Sequence, residues 1–238
     1  MVKVKKFEFK NFELNHRKSP MSIGVDSMLL GAWGSDLFNF KNAIDIGCGC
    51  GILAFMIAQK NSNAKILGID IDEQAIVEAN ENLNNQKQFS NVSFKQIDIK
   101  TFITNDKFDF IISNPPYFST QKSTQSPVLK RANARHNETL TLQTLFDFIA
   151  KNLSDNGKAA LILPYQEFEW VQKTVQRLSL YFHKLTVVKP TEFKPVNRFL
   201  FIIGKENKFP EVDSIVLRNL DNTYTDQYKT LTKDFHSK

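Results

Sequence analysis

The residues Asn114-Pro115-Pro116-Tyr117 follow the apolar run 108–112 and combine an amide, a rigid backbone and an aromatic ring. Consecutive prolines restrict the backbone and remove N–H groups, so carbonyl oxygens and the Asn114 amide are the polar groups that a ligand would meet. An exocyclic amine on a planar base could donate to these acceptors while Tyr117 stacks on the ring. The acceptors would stabilise the positive charge that develops as the amine attacks an electrophile. The alternative is a simple turn after a strand.

A glycine-rich loop, Gly47-Cys48-Gly49-Cys50-Gly51, lies between a short apolar run and the helical pattern 52–59. A strand, a glycine turn and a helix form one half of a nucleotide-binding unit, and the glycines let a ligand approach the backbone. The spacing G-x-G-x-G differs from the G-x-G-x-x-G that binds a dinucleotide pyrophosphate. Asp45, just before the loop, would repel phosphate, which favours a cationic or amine-bearing ligand.

Acidic residues stand at the ends of the next predicted strands. Asp70 ends one strand 23 residues after Gly47, and the strand 93–97 leads to Asp98. An acid at about this distance is the usual partner of ribose hydroxyls, and the Asp98 carboxylate could accept from the amino group of an adenine ring. The alternative for each acid is a solvated side chain or a helix N-cap, and we predict a cap for Asp72.

In this order, the motifs resemble those of the class I S-adenosylmethionine-dependent methyltransferases that methylate exocyclic amines. The resemblance implies that Gly47, Gly49 and Gly51 hold the methionine part of the cofactor together with Asp45. It further implies that Asp70 binds the ribose and Asp98 the adenine amine, with Ile71 also in the cofactor site. The target nitrogen would then bind at residues 114–117 and take the methyl group in line from the sulfonium.

The family also implies a fold. We expect a Rossmann-like α/β domain with a mostly parallel, seven-stranded twisted sheet and helices on both faces. The strand and helix patterns continue past Tyr117, and the chain is long enough for one sizeable core. We therefore predict a single domain over residues 1–238, with an N-terminal extension at 1–20 and a substrate loop at 118–137.

The two ends of the chain narrow the resemblance. Residues 7–12 and 21–33 are similar to the opening of the bacterial tRNA adenine-N6 methyltransferases that modify valine tRNA beside the anticodon, and residues 224–232 are similar to that family's ending. The implied activity is methylation of N6 of the adenosine at position 37. The alternatives are the same chemistry on guanine N2 in rRNA, adenine N6 in DNA or a protein glutamine, or an RNA-binding module without catalysis.

The run Ser22-Ile-Gly-Val-Asp26 departs from this family, where a basic residue and a threonine are expected before the aspartate. By the resemblance, Asp26 belongs to the cofactor site and contributes to its closure. Physically, it precedes the apolar helical pattern of Met28, Leu29 and Trp33, so the alternative is a capping role for a packing helix.

Basic residues indicate a polyanionic partner, since the formal net charge is +6. Within the predicted substrate loop we expect Lys122, Arg131 and Arg135 to contact RNA, and the alternative is a solvated basic loop. Arg198 is a further predicted RNA contact, and with the nearby Phe193 it could form another wall of the target pocket.

The remaining expectations concern the location of the protein in the cell, its cysteines and its oligomeric state. Without a signal peptide or a membrane-length apolar run, we predict a cytoplasmic protein with tRNA as partner and no membrane association. Cys48 and Cys50 are expected to be small, buried free thiols, and no metal is predicted. The sequence does not assign an oligomeric state, and a monomer is the favoured expectation.

Overall fold

The computed structural model describes residues 6–16, 24–35, 39–116 and 140–236. The first half contains β1 (Lys6–Glu8), β2 (Glu13–Asn15), α1 (Val25–Ser35), β3 (Asn42–Ile46), α2 (Ile52–Lys60), β4 (Lys65–Asp70), α3 (Glu73–Asn84), β5 (Val92–Gln96) and β6 (Phe108–Ser113). The second half contains α4 (Leu142–Asn152), β7 (Leu153–Pro164), α5 (Phe168–Arg177), β8 (Tyr181–Thr191), β9 (Arg198–Gly204), β10 (Glu211–Arg218) and α6 (Asp226–Thr232).

The central sheet has eight strands in the order β10-β8-β9-β7-β6-β3-β4-β5. Adjacent strands of this sheet are parallel, except for the pairs β7–β9 and β8–β9, which are antiparallel. The predicted Rossmann-like α/β fold class is confirmed, with one strand more than the predicted seven. The additional strand is β10, an edge strand whose first four residues are exposed, so it lacks the apolar alternation that identifies a half-buried strand.

The order in which successive strands are added to the sheet reverses at β3. From β3 the chain moves outward through β4 and β5, then returns to place β6 on the other side of β3. In open α/β sheets such a reversal leaves a crevice at the carboxyl ends of the strands, because the flanking connections run in opposite directions. Asp70 ends β4, and Gly47 and Asn114 directly follow β3 and β6, so all three lie at this edge.

Each face of the sheet carries its own apolar core. One core contains apolar residues of α1, α2, α3 and α6, and the other contains those of α4 and α5. The helix α2 is buried along residues 52–58, which explains its nearly continuous apolar sequence. The helix α4 is amphipathic instead, and the Thr141 side chain caps it by accepting from the Thr144 N–H. The predicted arrangement of helices on both faces is therefore confirmed.

The described part of the predicted N-terminal extension packs onto this domain. The β1–β2 hairpin contributes Phe12 and Leu14 to the core, and the Asn15 N–H donates to Oδ1 of Asn82 in α3 at 2.8 Å. At the other end of the chain, Phe235 accepts a backbone hydrogen bond from Lys10 at 2.9 Å. The two ends of the described chain therefore meet on one side of the molecule.

Candidate active site

Asn114 lies at the edge of the sheet where β6 ends and is only 8% exposed. Its Nδ2 donates a hydrogen bond of 2.9 Å to Oγ of Ser27, which is 9% exposed and lies in the first turn of α1. Pro115 is buried and Pro116 is partly buried. Tyr117, the aromatic member of the predicted motif, lies outside the described residues. The structure thus places the amide at the predicted strand end and shows a partner that sequence reasoning missed.

The glycine loop turns sharply between β3 and α2, with positive φ at its glycines. Gly51 has a φ of 92°, and a Cβ at this position would lie 2.6 Å from the ring of Phe94. Glycine is therefore required at residue 51 for both its backbone conformation and its packing. The N–H groups of Gly47 and Cys48 both donate to the carbonyl of Ile69, which holds the loop against the end of β4.

Asp45 is fully buried below the glycine loop. Its Oδ2 accepts from the Ala54 N–H at 3.1 Å, in the first turn of α2, whereas Oδ1 has no hydrogen-bond partner among the described residues. Burial raises the pKa of Asp45 from 3.8 to about 8, and the nearby charge of Asp70 adds to this, against the opposing effect of the Ala54 N–H. An unpartnered buried carboxylate oxygen fits a ligand with an amine, which would supply a donor and a positive charge.

Asp70, the last residue of β4, accepts hydrogen bonds from the glycine loop and from the residue before α3. Its Oδ2 accepts from the Gly49 N–H at 2.9 Å, and its Oδ1 accepts from the Asp72 N–H at 3.0 Å. Asp72 in turn caps α3 by accepting from the Ala75 N–H at 2.9 Å, which confirms the predicted cap. The predicted ribose-binding acid therefore also organises the glycine loop. Its contact with ribose stays a prediction.

The other two predicted cofactor residues on this side lie next to Asp70. The carbonyl of Ile71 accepts from Nε2 of Gln96 at 3.1 Å, which ties it to the end of β5. Asp98 lies two residues beyond β5, is partly exposed, and accepts from the Lys100 N–H at 2.9 Å. The structure thus brings Asp45, Asp70 and Asp98 to one edge of the sheet, in line with the order of β3, β4 and β5.

Asp26 and Arg198 form an ion pair that neither sequence interpretation included. Nε of Arg198, the first residue of β9, lies 3.1 Å from Oδ2 of Asp26 in the first turn of α1. A carboxylate in the first turn also interacts favourably with the helix dipole. The contact joins α1 to β9. Asp26, predicted to lie in the cofactor site, and Arg198, predicted to contact RNA, therefore hold each other in place. Their roles toward ligands stay predictions.

The connection between β8 and β9 also lies at the carboxyl edge, because β8 runs parallel to β7 and β6. A hydrogen bond of 3.1 Å from the Lys194 N–H to the Thr191 carbonyl closes its turn. Phe193, in this turn, is 79% exposed, and Lys194 is exposed beside it. Lys122, Arg131 and Arg135, the other predicted RNA contacts, lie outside the described residues.

The two cysteines of the glycine loop are buried and free, as predicted. Burial raises the pKa of Cys50 to about 12, so this thiol stays protonated at neutral pH. Across residues 6–16, 24–35, 39–116 and 140–236, no group of three or more His, Cys, Asp or Glu side chains could hold a metal ion. In the same part of the chain, no helix is both long and apolar enough to cross a membrane.

Comparison with known proteins assigns the family. The model of the methyltransferase small domain family matches residues 27–188, which include the glycine loop and Asn114. The chain belongs to this family. A Vibrio vulnificus protein named tRNA1(Val) (adenine(37)-N6)-methyltransferase is 35% identical over 237 residues, which cover 100% of this chain and 98% of the relative. A Haemophilus influenzae protein of the same name is 35% identical and aligns over 98% of this chain and 99% of its own length.

A solved structure adds independent support for the fold of this methyltransferase family member. The structure of a predicted O-methyltransferase from Agrobacterium tumefaciens aligns with a TM-score of 0.67, covering 88% of this chain and 96% of the other. The two sequences are only 14% identical, so this likeness concerns the fold alone. The family resemblance read from the motifs and from the two ends of the sequence is confirmed by the full-length relatives.

Proposed function

We propose that this protein transfers the methyl group of S-adenosylmethionine to N6 of an adenosine in tRNA, at position 37 of valine tRNA. The proposal depends chiefly on one observation. The Asn114 amide lies at the switch point of the sheet, in a chain that aligns almost end to end with relatives named for this reaction. Because the substrate is tRNA, we place the reaction in the cytoplasm.

The residues around the glycine loop fit the methyl donor. S-adenosylmethionine would supply an electrophilic methyl group on a sulfonium. Asp45 carries a buried oxygen that lacks a hydrogen-bond partner among the described residues, and it would accept from the amino group of the methionine part. Gly47 and Gly49 would let the cofactor approach the backbone, while Asp70 and Asp98 would bind the ribose and the adenine amine.

At Asn114 the proposed chemistry needs acceptors and no strong general base. The amide oxygen and the Pro115 carbonyl would accept the two protons of the target amine and hold its nitrogen toward the methyl group. As the nitrogen attacks, it would gain positive charge, which the two oxygens would stabilise beside the buried Asn114. The C–S bond would break to leave the neutral thioether, S-adenosylhomocysteine, and the methylated amine would then release its extra proton to water. Tyr117 would stack on the adenine ring, as the family resemblance implies.

Recognition of tRNA would use the carboxyl edge of the sheet. We assign phosphate contacts to Lys122, Arg131 and Arg135, in accord with the excess of basic residues. The exposed ring of Phe193 would stack on a nucleobase near the target. Arg198 is held by its ion pair with Asp26, so a phosphate bound there would share the guanidinium with a carboxylate.

The experiment that tests the function is methyl transfer from labelled S-adenosylmethionine to unmodified transcripts of individual tRNAs, followed by digestion and mass analysis. We expect N6-methyladenosine from valine tRNA and none from the same transcript with guanosine at position 37. Asn114→Ala should remove transfer while cofactor binding, measured by calorimetry, stays within about twofold, since the lost amide would bind the target amine and contacts Ser27, which is not part of the glycine loop.

Other outcomes separate the alternatives. Label in guanine, DNA or protein would keep the chemistry but overturn the tRNA assignment. Tight cofactor binding without transfer to any of these substrates would favour an RNA-binding module without catalysis. A fully active Asn114→Ala variant would contradict the mechanism.

A further inference from the structure

The hydroxyl of Ser27 contacts the group that receives the substrate in the proposed reaction. Its Oγ accepts from Nδ2 of Asn114 at 2.9 Å, and both side chains are more than nine-tenths buried. The two residues are 87 positions apart in the chain, so the contact forms only when α1 packs beside the end of β6. Ser27 itself belongs neither to the glycine loop nor to the Asn-Pro-Pro motif.

The orientation of the Asn114 amide decides what it offers to a substrate. The oxygen and the nitrogen of an amide lie on opposite sides of the same carbon, so a half-turn of the side chain exchanges an acceptor for two donors. The proposed chemistry needs the acceptor toward the amine. In the structure Nδ2 donates to Ser27, so the nitrogen faces α1, and Oδ1, on the other side of the same carbon, faces a different direction.

We propose that Ser27 is a positioning residue that holds the Asn114 amide in the orientation that accepts from the target amine. This inference rests on the proposed function. Ser27 itself touches neither the cofactor nor the base in this scheme. It acts through Asn114, by restricting side-chain torsions that the enzyme would otherwise have to fix during each reaction.

The helix that carries Ser27 is well anchored on both sides of this contact. Its neighbour Asp26 is ion-paired with Arg198 at the start of β9, and Trp33 donates to Oγ1 of Thr186 in β8 at 3.1 Å. Between these anchors, a Cβ on Gly31 would lie 2.3 Å from Sδ of Met56, so α1 and α2 are in close contact. Ser27 is therefore presented from a rigid element, as a positioning group requires.

The test compares Ser27→Ala with a matched control on the same helix, Ser35→Ala. Ser35 is also buried, and its hydroxyl donates to the Ala32 carbonyl at 3.4 Å, away from Asn114. We expect Ser27→Ala to lower the single-turnover rate at saturating substrates by about tenfold, with the KM for tRNA and the Kd for S-adenosylmethionine within about twofold of wild type. The Ser35→Ala rate should equal that of wild type.

A second pair of variants covers the case in which Ser27→Ala fails to fold. Ser27→Thr and Ser27→Val add the same bulk, but only threonine retains the hydroxyl. We expect the threonine variant to be at least about fivefold faster than the valine variant at equal cofactor occupancy, as a lost acceptor for a buried amide predicts. Equal rates for threonine and valine, or an unchanged rate for Ser27→Ala, would overturn the inference.

The activity of the wild-type protein shows whether a negative result concerns the role of Ser27 or the proposed function itself. Wild-type protein that methylates no amine would overturn the proposed function and this inference together. Active wild-type protein with an equally active Ser27→Ala variant would overturn only the role of Ser27. A drop in rate that comes with an equal loss of cofactor binding would also overturn it, since positioning of Asn114 leaves the glycine loop intact.

Discussion

Replacement of Asp45 by asparagine should make the protein more stable at neutral pH and impair its binding of the cofactor. Asparagine keeps an oxygen that can accept from the Ala54 N–H, and, unlike an acid, it has no ionised form that would place a negative charge in this fully buried position. Burial of that charge is the main reason why the pKa of Asp45 rises from 3.8 to about 8 in the folded protein. The two consequences have opposite signs, so they can be measured separately.

The magnitude follows from proton linkage. Because the folded pKa of Asp45 lies above its unfolded value, the unfolded chain loses this proton first as the pH rises from 3.8 to about 8. Over that window the free energy of unfolding of the wild-type protein falls by about 1.4 kcal/mol per pH unit from this group. Asp45→Asn removes the titration, so its advantage over wild type should grow by about 2.7 kcal/mol from pH 5 to pH 7.

The assay is urea unfolding of both proteins at pH 5, 6 and 7, followed by the fluorescence of Trp33 and Trp170. Titrating groups that do not interact with Asp45 cancel in the difference between the free energies of unfolding of the two proteins. A difference that does not change with pH would refute the raised pKa of Asp45. In calorimetry, the variant should bind S-adenosylmethionine about tenfold or more weakly, because an amide does not attract a cationic amine as a carboxylate does. Unchanged affinity would remove Asp45 from the cofactor site.

Two further substitutions test tRNA binding at the carboxyl edge of the sheet and the requirement for glycine in the glycine loop. Phe193→Ala should weaken tRNA binding about tenfold through the loss of stacking. Phe209→Ala, at another exposed phenylalanine on the opposite edge of the sheet, should leave binding unchanged in a filter-binding titration. Equal effects of the two would contradict a specific contact. Gly51→Ala should lower the free energy of unfolding by about 2–4 kcal/mol, since it combines left-handed backbone strain with overpacking against Phe94. The control is Gly34→Ala, where an added Cβ stays 3.7 Å from its neighbours, and similar losses for both would refute the packing argument.

The sequence predicted much of the parallel half of the fold because its signals there are local. Apolar runs bounded by glycine or aspartate identify β3, β4 and β6, and the strand ends then bring Asp45, Asp70 and Asn114 to one edge. Asp72 was also predictable as a cap, since an N-cap depends only on the next few residues. These predictions needed no knowledge of tertiary contacts.

What the sequence did not predict depends on contacts between distant residues. The Ser27–Asn114 hydrogen bond and the Asp26–Arg198 ion pair join positions 87 and 172 residues apart, and no spacing rule connects them. The motif indicated a ligand-binding role for Gly51, whereas its contact with Phe94 is a matter of packing that a single sequence does not encode locally. Polar residues that position catalytic groups are therefore harder to find than the catalytic groups themselves.

The contact between the two ends of the described chain bears on how the order of the site residues in the sequence relates to their places in the fold. Lys10 and Phe235 are hydrogen-bonded, so a short peptide could join the two described ends of the chain. The exposed segment 206–210, between β9 and β10, offers a place to open the chain. In such a circular permutant every strand and helix would keep its neighbours. Opened within the connection between α3 and β5, the same molecule would carry its Asn-Pro-Pro motif before its glycine loop. The order of these motifs along the polypeptide is thus a matter of gene layout and not a requirement of the site.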